Sequence, residues 1–368
     1  MSTRTKHALK GTTTLAAAIT PSEIQHRPTC SVSQENVSVL TSYDLLPKYR
    51  RAIIVPGSPP VWSPPPLPIT IPADKGLYSI DPTRLVFPTC PLEPVFRALE
   101  ITAPHLKLSD FDVISDRRNL RLLYACAGGS TQAFRIDAET AGGKTLLLSV
   151  FTGRRVSYAK GTPACGYGMN FEKAFTKRLE CSRGSTHHHR VIDYSLGGLR
   201  FMVRFEVDAC IASKPMTRRY QKRTVTAPTG LKVYVRGALA KPGSIAELKT
   251  GRYEAGSLAC SDNMAQLWFS QTPILFSGRY KGQGNFETVE RKDVIAIGKM
   301  KRWEESHAEK LKKLVRLLEM LREAIMAAGD GKFAIVLEKG KPELKIFALD
   351  QERYRFGLPE DILAKWKC

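Results

Sequence analysis

Between residues 199 and 208 apolar and polar side chains alternate almost without a break. Leu199, Phe201, Val203, Phe205 and Val207 fall on one side, and Arg200, Met202, Arg204, Glu206 and Asp208 on the other. A strand has a side-chain period of two, so the pattern predicts a strand over 199–212 with one wholly apolar face. The segment SIAELKT (244–250) repeats the device: Ala246 and Leu248 face one way, Glu247 and Lys249 the other. FDVISD (111–116), LRLLYACA (120–127), AFRIDAET (133–140) and TLLLSVF (145–151) also read as strands. Residues 273–280 and 285–290 flank a Gly282–Gln283–Gly284 turn and predict a hairpin, as do residues 333–349. Helical spacing marks 92–101, 263–271 (stopped by Pro273) and 169–180, where Phe171, Phe175 and Leu179 stand at i, i+4 and i+8. A long amphipathic helix is expected over 300–328, with Leu311, Leu314, Leu318, Leu321 and Ile325 on one stripe. No internal repeat is visible.

These elements predict an α/β (α+β) fold, a central mixed β-sheet with flanking helices. Residues 1–40, rich in Ser, Thr and Ala, read as a disordered basic tail. Residues 41–75 read as an extended proline-rich arm. Its densest part, 56–72, should run as polyproline II, with Trp62 anchoring it to the domain. Residues 76–368 then form a single domain carrying a basic insertion at 213–243.

Charge changes this picture. The 368 residues carry a formal net charge of +21, a surplus that favours a polyanionic partner, nucleic acid first. No stretch approaches the roughly 20 apolar residues of a membrane helix, so no membrane role is expected. The eight cysteines make no C-x-x-C pair, and Cys126 and Cys210 lie in apolar runs, which suits a reducing compartment. Cys165, Cys181 and His187–His189 fit no standard zinc spacing. A nuclear or cytoplasmic location is expected; the basic, acid-poor start resembles a mitochondrial presequence as the alternative. The long helix or the proline-rich arm offers a surface for a protein partner.

Glu206 and Asp208 point the same way from one strand. Adjacent carboxylates repel unless a cation lies between them, and hard divalent cations such as Mg²⁺ or Mn²⁺ take such oxygens. If the 244–250 strand pairs nearby, Glu247 adds a third carboxylate and Lys249 a cation, the equipment of phosphodiester hydrolysis. E-x-D and E-x-K are each common by chance, and the plain alternative is a pair of solvated strand faces. Between Asp208 and Glu247 there is no acidic residue. Arg218, Arg219, Lys222 and Arg223 lie there with Tyr220 and Tyr234 interleaved. This segment reads either as a loop guiding a nucleic acid to the site or as a solvated insertion.

Phe171–Glu172 on a helix, then FEVD (205–208), ELKT (247–250), LWFSQTP (267–273) and ILFSGRY (274–280) occur in the order of the eukaryotic decapping and 5′-end RNA exonuclease (DXO-type) family. The chain resembles that family over roughly 165–295. The resemblance implies a PD-(D/E)xK nuclease core, metal held by Glu206, Asp208 and Glu247, and Glu172 supporting it. It also implies Lys249 and Gln271 near the attacking water and phosphate, and the 5′ end of RNA as substrate. The family's channel arginine has its nearest candidates in Arg117, Arg118 and Arg121. The whole chain also resembles a group of filamentous-fungal proteins sharing the SYDLLPKYRRAIIVPGSPPVW-like segment. A prenyl-diphosphate-synthase label attached to some of them finds no support, since the chain has no Asp-Asp pair to hold magnesium diphosphate. The expected function is metal-dependent RNA hydrolysis at or near the 5′ end. The alternatives are a non-catalytic RNA-binding or partner-docking protein on the same fold, or a DNA nuclease.

Overall fold

The computed structural model describes residues 8–24, 32–153, 156–212, 221–253, 260–329, 331–352 and 356–367. Two sheets dominate. The larger has 12 strands among the described residues. In spatial order they are Thr12–Ile19, Leu344–Leu349, Lys332–Leu337, Phe134–Ala141, Thr145–Val150, Val113–Asp116, Leu199–Glu206, His187–Leu196, Glu35–Leu45, Ala52–Val55, Lys232–Val235 and Arg223–Thr226. It is mixed: Val113–Asp116 runs parallel to both Leu199–Glu206 and Thr145–Val150, and most other pairs are antiparallel. The smaller sheet has seven strands, with Ile245–Arg252 parallel to Ile274–Lys281 at its centre. The α+β class with a central mixed sheet is as expected.

The alternation at 199–207 folds as predicted. Phe201, Val203, Phe205 and Val207 all enter the principal core, where Leu123, Trp268 and the helix Ala308–Ala327 cover them. The opposite face of the large sheet packs Met202, Tyr43, Val233 and the helix Glu93–Thr102 into a second core. The expected leucine stripe is real: Leu311, Leu314, Leu318, Leu321 and Ile325 are fully buried. It is core, not a free docking face, and the 300–328 segment is two helices, Lys299–Ser306 and Ala308–Ala327, meeting at His307.

Several expectations are corrected. Residues 1–40 are not one disordered tail, since Thr12–Ile19 forms an edge strand on Leu344–Leu349 and Glu35–Leu45 lies well inside the sheet. Residues 41–75 are not an arm: Tyr43, Leu45, Ile53 and Val55 are fully buried sheet residues. Local composition hid these strands because, apart from the short pairing of Glu35–Leu45 with Ala52–Val55, their partners lie more than a hundred residues away. The proline-dense part does lie across the small sheet, adding the two-residue strands Val61–Trp62 and Ile69–Thr70. Trp62 anchors it, stacking on Phe276 at 3.9 Å between ring centroids. LRLLYACA is helix, not strand. Arg117–Ala127 places Leu120, Leu123, Tyr124 and Ala127 on the core at helical spacing. The helix predicted over 169–180 ends at Phe175.

Candidate active site

The chain crosses from one sheet to the other at residues 206–209. Leu199–Glu206 ends in the large sheet; three residues later Ala209 pairs with Ala246 in the small one. The Val207 amide still donates to the His188 carbonyl of the large sheet. The acidic residues of FEVD therefore stand at the seam, beside the strand that carries Glu247 and Lys249.

Asp208 is clamped there. Its Oδ2 accepts from the Leu248 amide at 2.8 Å, which fixes it between Glu247 and Lys249. Glu247 is only 3% exposed. Its Oε1 accepts from Lys249 Nζ at 2.5 Å and from the Gln266 amide; its Oε2 accepts from Arg117 at 3.3 Å. Arg117 also donates to Ser270 Oγ at 3.1 Å and lies over the Phe205 ring at 5.5 Å. Arg121, one helical turn on, donates to Gln266 Oε1 at 3.2 Å.

A buried ion pair aims the Arg117 helix. Asp116, at its N-terminus, receives both Arg204 Nε (2.5 Å) and a second Arg204 nitrogen (2.8 Å). Arg204 is two residues before Glu206, so the pair locks the arginine helix to the acidic strand.

Glu172 comes from the helix Gly168–Phe175, which packs closely on the small sheet. A Cβ on Gly278 would lie 2.5 Å from the Phe171 ring, so only glycine there admits the helix. Asp74 caps this helix: its carboxylate accepts from the Met169 amide (3.1 Å) and the Asn170 amide (2.9 Å). Glu206 is 43% exposed on its side chain, with His187 Nε2 at 4.0 Å.

The electrostatics record crowding. Burial, then Glu206 and Glu247, push the Glu172 carboxyl up to about 8. Burial, then Glu247 and Glu172, hold Asp208 well above the usual carboxylate range. Burial alone would raise Glu247 too, but Lys249 and Arg117 outweigh it and hold it low. Burial would lower Lys249, but Glu247 and Asp208 raise it.

The structure thus brings together Glu172, Glu206, Asp208, Glu247 and Lys249. Gln271 does not join them. It ends the helix Cys260–Ser270 in a left-handed conformation (φ 48°), and its amide donates to Gln34 and to the Trp268 carbonyl. Gln266 supplies the amide at the centre instead. Of the arginines, Arg117 enters, Arg121 acts through Gln266, and Arg118 is exposed. Spacing carried part of the signal, since Arg117 and Arg121, four apart, are neighbours on one helix face; the burial that separates Arg118 from them needed the structure.

The insertion is also corrected. Arg218 and Arg219 lie outside the described residues. Lys222 precedes and Arg223 begins a hairpin, Arg223–Thr226 with Lys232–Val235, at the far edge of the large sheet. Four strand positions, roughly 19 Å, separate Lys232–Val235 from the Leu199–Glu206 strand. Cys181 donates to Ser58 while Cys165 bonds near Lys160 and Thr162, so they form no common site with the histidines.

The donor set suits a hard divalent cation. Four carboxylates crowd one another here, and a cation would relieve the repulsion that raises Glu172 and Asp208. The cage is not preformed: among the described residues no three His, Cys, Asp or Glu side chains are arranged to hold a metal. Glu247 has both oxygens engaged by Lys249, Gln266 and Arg117.

A family model described as "Domain of unknown function (DUF8563)" matches residues 15–365. No curated protein sequence matches significantly. Solved structures do. A mutant S. pombe Rai1 in complex with 3′-FADP is similar at a TM-score of 0.60 and 11% identity, over 91% of this chain and 99% of that one. Candida albicans Rai1 in complex with pU5-Mn²⁺ gives 0.58 and 12%, over 93% and 98%. K. lactis Dxo1 in complex with manganese gives 0.56 and 11%, over 93% and 99%. The fold is therefore that of the Rai1/Dxo1 decapping exonucleases, as the order of motifs implied.

Proposed function

The chain belongs to the DUF8563 family, and we propose that it hydrolyses RNA phosphodiesters at or near the 5′ end with a divalent metal, Mg²⁺ or Mn²⁺. The observation that carries this is the Glu247–Lys249 pair on one strand, fastened to Asp208 through the Leu248 amide and faced by Glu172 from a helix. Support comes from the fold, whose solved examples include complexes with manganese and with pU5.

Glu206, Asp208 and Glu247, with Glu172, would hold the metal, in the manner of a PD-(D/E)xK centre. When bound, the ion would neutralise phosphate charge and lower the pKa of the attacking water. The remaining chemistry belongs to the chain. Lys249 stays cationic beside Glu247 and is placed to hydrogen-bond the attacking water or the charge developing on phosphorus oxygens. Arg117 offers a second cation at the same carboxylate, held in line by Ser270 and Phe205. Gln266 orients Glu247 and is itself oriented by Arg121. It is a positioning residue.

The test uses the full chain and 5′-labelled single-stranded RNA or DNA with Mn²⁺, Mg²⁺ or EDTA. The Glu247→Gln/Lys249→Ala variant runs alongside. Metal-dependent cleavage of RNA by wild type, reduced at least 100-fold in the variant, is expected; comparing monophosphate, triphosphate and capped 5′ ends then defines the substrate. RNA bound but never cut, with any metal, would replace this reading with a non-catalytic RNA-binding protein. Preferential cutting of DNA would make it a DNA nuclease.

A further inference from the structure

Strands Lys75–Ser79 and Val156–Lys160 form a two-stranded antiparallel ribbon that joins neither large sheet. A two-stranded ribbon is marginal in water without support. This one is supported at its base. The Gly161 amide donates to the Asp74 carbonyl at 3.1 Å, and the Lys160 amide to Cys165 Sγ at 3.2 Å. Asp74, the residue before the first strand, caps the Glu172 helix and is close enough to raise the Glu172 carboxyl. The ribbon therefore rises directly from the edge of the acidic centre.

Its register assigns one face. Lys75 lies opposite Lys160, Leu77 opposite Tyr158, and Ser79 opposite Val156. Directly opposed residues share a face, so this face runs from a lysine pair at the base, through Leu77 and Tyr158, to Val156 and Ser79. It is open to solvent: Leu77 is 76% exposed, Tyr158 59% and Val156 42%, and both lysines are exposed. Two features of this face are costly for the chain alone. Like charges directly opposite each other destabilise a strand pair. A grouped aliphatic and aromatic surface in water marks a binding site. An anion between the lysines and a flat ring on the tyrosine would relieve both.

We propose that this face is a docking strip for the single-stranded substrate. A backbone phosphate sits between Lys75 and Lys160, next to the centre, and the neighbouring base stacks on Tyr158 against Leu77. The proposal rests on the reading of the centre as a phosphodiesterase for RNA. Charge favours nucleic acid over a protein partner: the strip begins with a pair of opposed lysines beside Asp74, and the chain carries +21. Stacking needs no sequence readout, so the strip would accept any unpaired base.

The experiment measures equilibrium binding of a fluorescent oligouridylate to the full chain in EDTA, where no cleavage occurs, across a salt series. Tyr158→Ala should weaken binding roughly five- to hundredfold, and Tyr158→Phe should restore most of it. Lys75→Gln/Lys160→Gln should flatten the slope of log affinity against log salt by roughly 0.7 for each phosphate that the lysines no longer neutralise. All three side chains are exposed, so the variants should melt with wild type, and melting curves check this. Unchanged affinity and slope in variants that melt normally would overturn the proposal and leave the strip to a protein partner. The outcome is separable from that of the centre. Tyr158-dependent binding by a chain that cuts nothing keeps the strip and removes the nuclease. Metal-dependent cleavage with Tyr158-independent binding does the reverse.

Discussion

At the scale of single residues, the centre is organised by who neutralises whom. Glu247 is buried yet low in pKa because Lys249 and Arg117 both reach it; Glu172 and Asp208, crowded by like charges and buried, stay high. Arg204 is the structural counterpart, a fully enclosed guanidinium held by Asp116, Tyr43 and the Pro91 carbonyl. Removing one member of such a pair leaves the other charge buried alone, so Arg204→Ala should destabilise the protein by about 3–5 kcal/mol in chemical denaturation. It should also lower activity by releasing the Arg117 helix. A second residue sets a pH dependence. Burial pushes the Glu139 carboxyl up to about 7, with Lys332 and the Leu358 amide opposing the shift only in part. The folded state thus holds this proton more tightly than the unfolded chain, whose carboxyl titrates near 4.5. Stability from this group falls as pH rises between those values, by up to roughly 3 kcal/mol. Glu139→Gln removes the titration, so its melting temperature relative to wild type should rise between pH 5 and pH 8. A constant difference across that range would show that Glu139 does not titrate there.

At the scale of elements, strands and helices with local signatures were legible and those with distant partners were not. The period-two run at 199–207 and the two hairpins needed no context, because each side chain's face follows from the backbone repeat alone. The strand Thr12–Ile19 needed Leu344–Leu349, and Glu35–Leu45 needed His187–Leu196. The apolar run at 120–127 was read as a strand and is helix: a short apolar run does not distinguish the two, and the helix Arg117–Ala127 is anchored by Asp116 on Arg204 and closed at Gly129. The hairpin at 282–284 also does more than turn. A Cβ on Gly284 (φ 92°) would run into the Ile71 carbonyl oxygen, so the glycine lets the proline-rich segment close over the small sheet. That segment is held by Trp62, stacked on Phe276 and Phe175. Trp62→Ala should cost about 2–3 kcal/mol, somewhat below the range for a fully buried tryptophan. The loss should show in thermal unfolding and in faster proteolysis within 56–72. A change under about 0.5 kcal/mol, the size of an ordinary surface substitution, would mean that the prolines hold the segment without it.

At the scale of the whole molecule, a net charge of +21 surrounds an acidic seam. Basic residues attract a polyanion at long range, and under the proposed function the seam is where it would be cut. Not every basic cluster shares in this. Lys222 and Arg223 sit at the outermost strand of an edge hairpin, five strand positions or roughly 24 Å along the sheet from the acidic strand. Lys222→Gln/Arg223→Gln should therefore change RNA affinity less than threefold at fixed salt. A loss beyond tenfold would return that hairpin to the substrate's path. Among the described residues no helix is long and apolar enough to cross a membrane.

The sequence by itself determined that Glu206 lies on one strand, that Glu247 and Lys249 share a side of another, and that Glu172 lies on a helix. Those facts depend only on local periodicity. Asp208, expected on the first strand, falls just past its end. The order of the motifs also carried the fold family, since order along the chain survives when identity falls to 11–13%. Tertiary structure decided the rest. It clamped Asp208 by the backbone of a strand 40 residues away. It chose Arg117 over Arg118, and Gln266 over Gln271. It also put the described hairpin of the insertion, Arg223–Thr226 with Lys232–Val235, at a sheet edge. Each of these depends on how a helix or strand sits against a partner distant in sequence, and a pattern read along one chain has no access to that geometry.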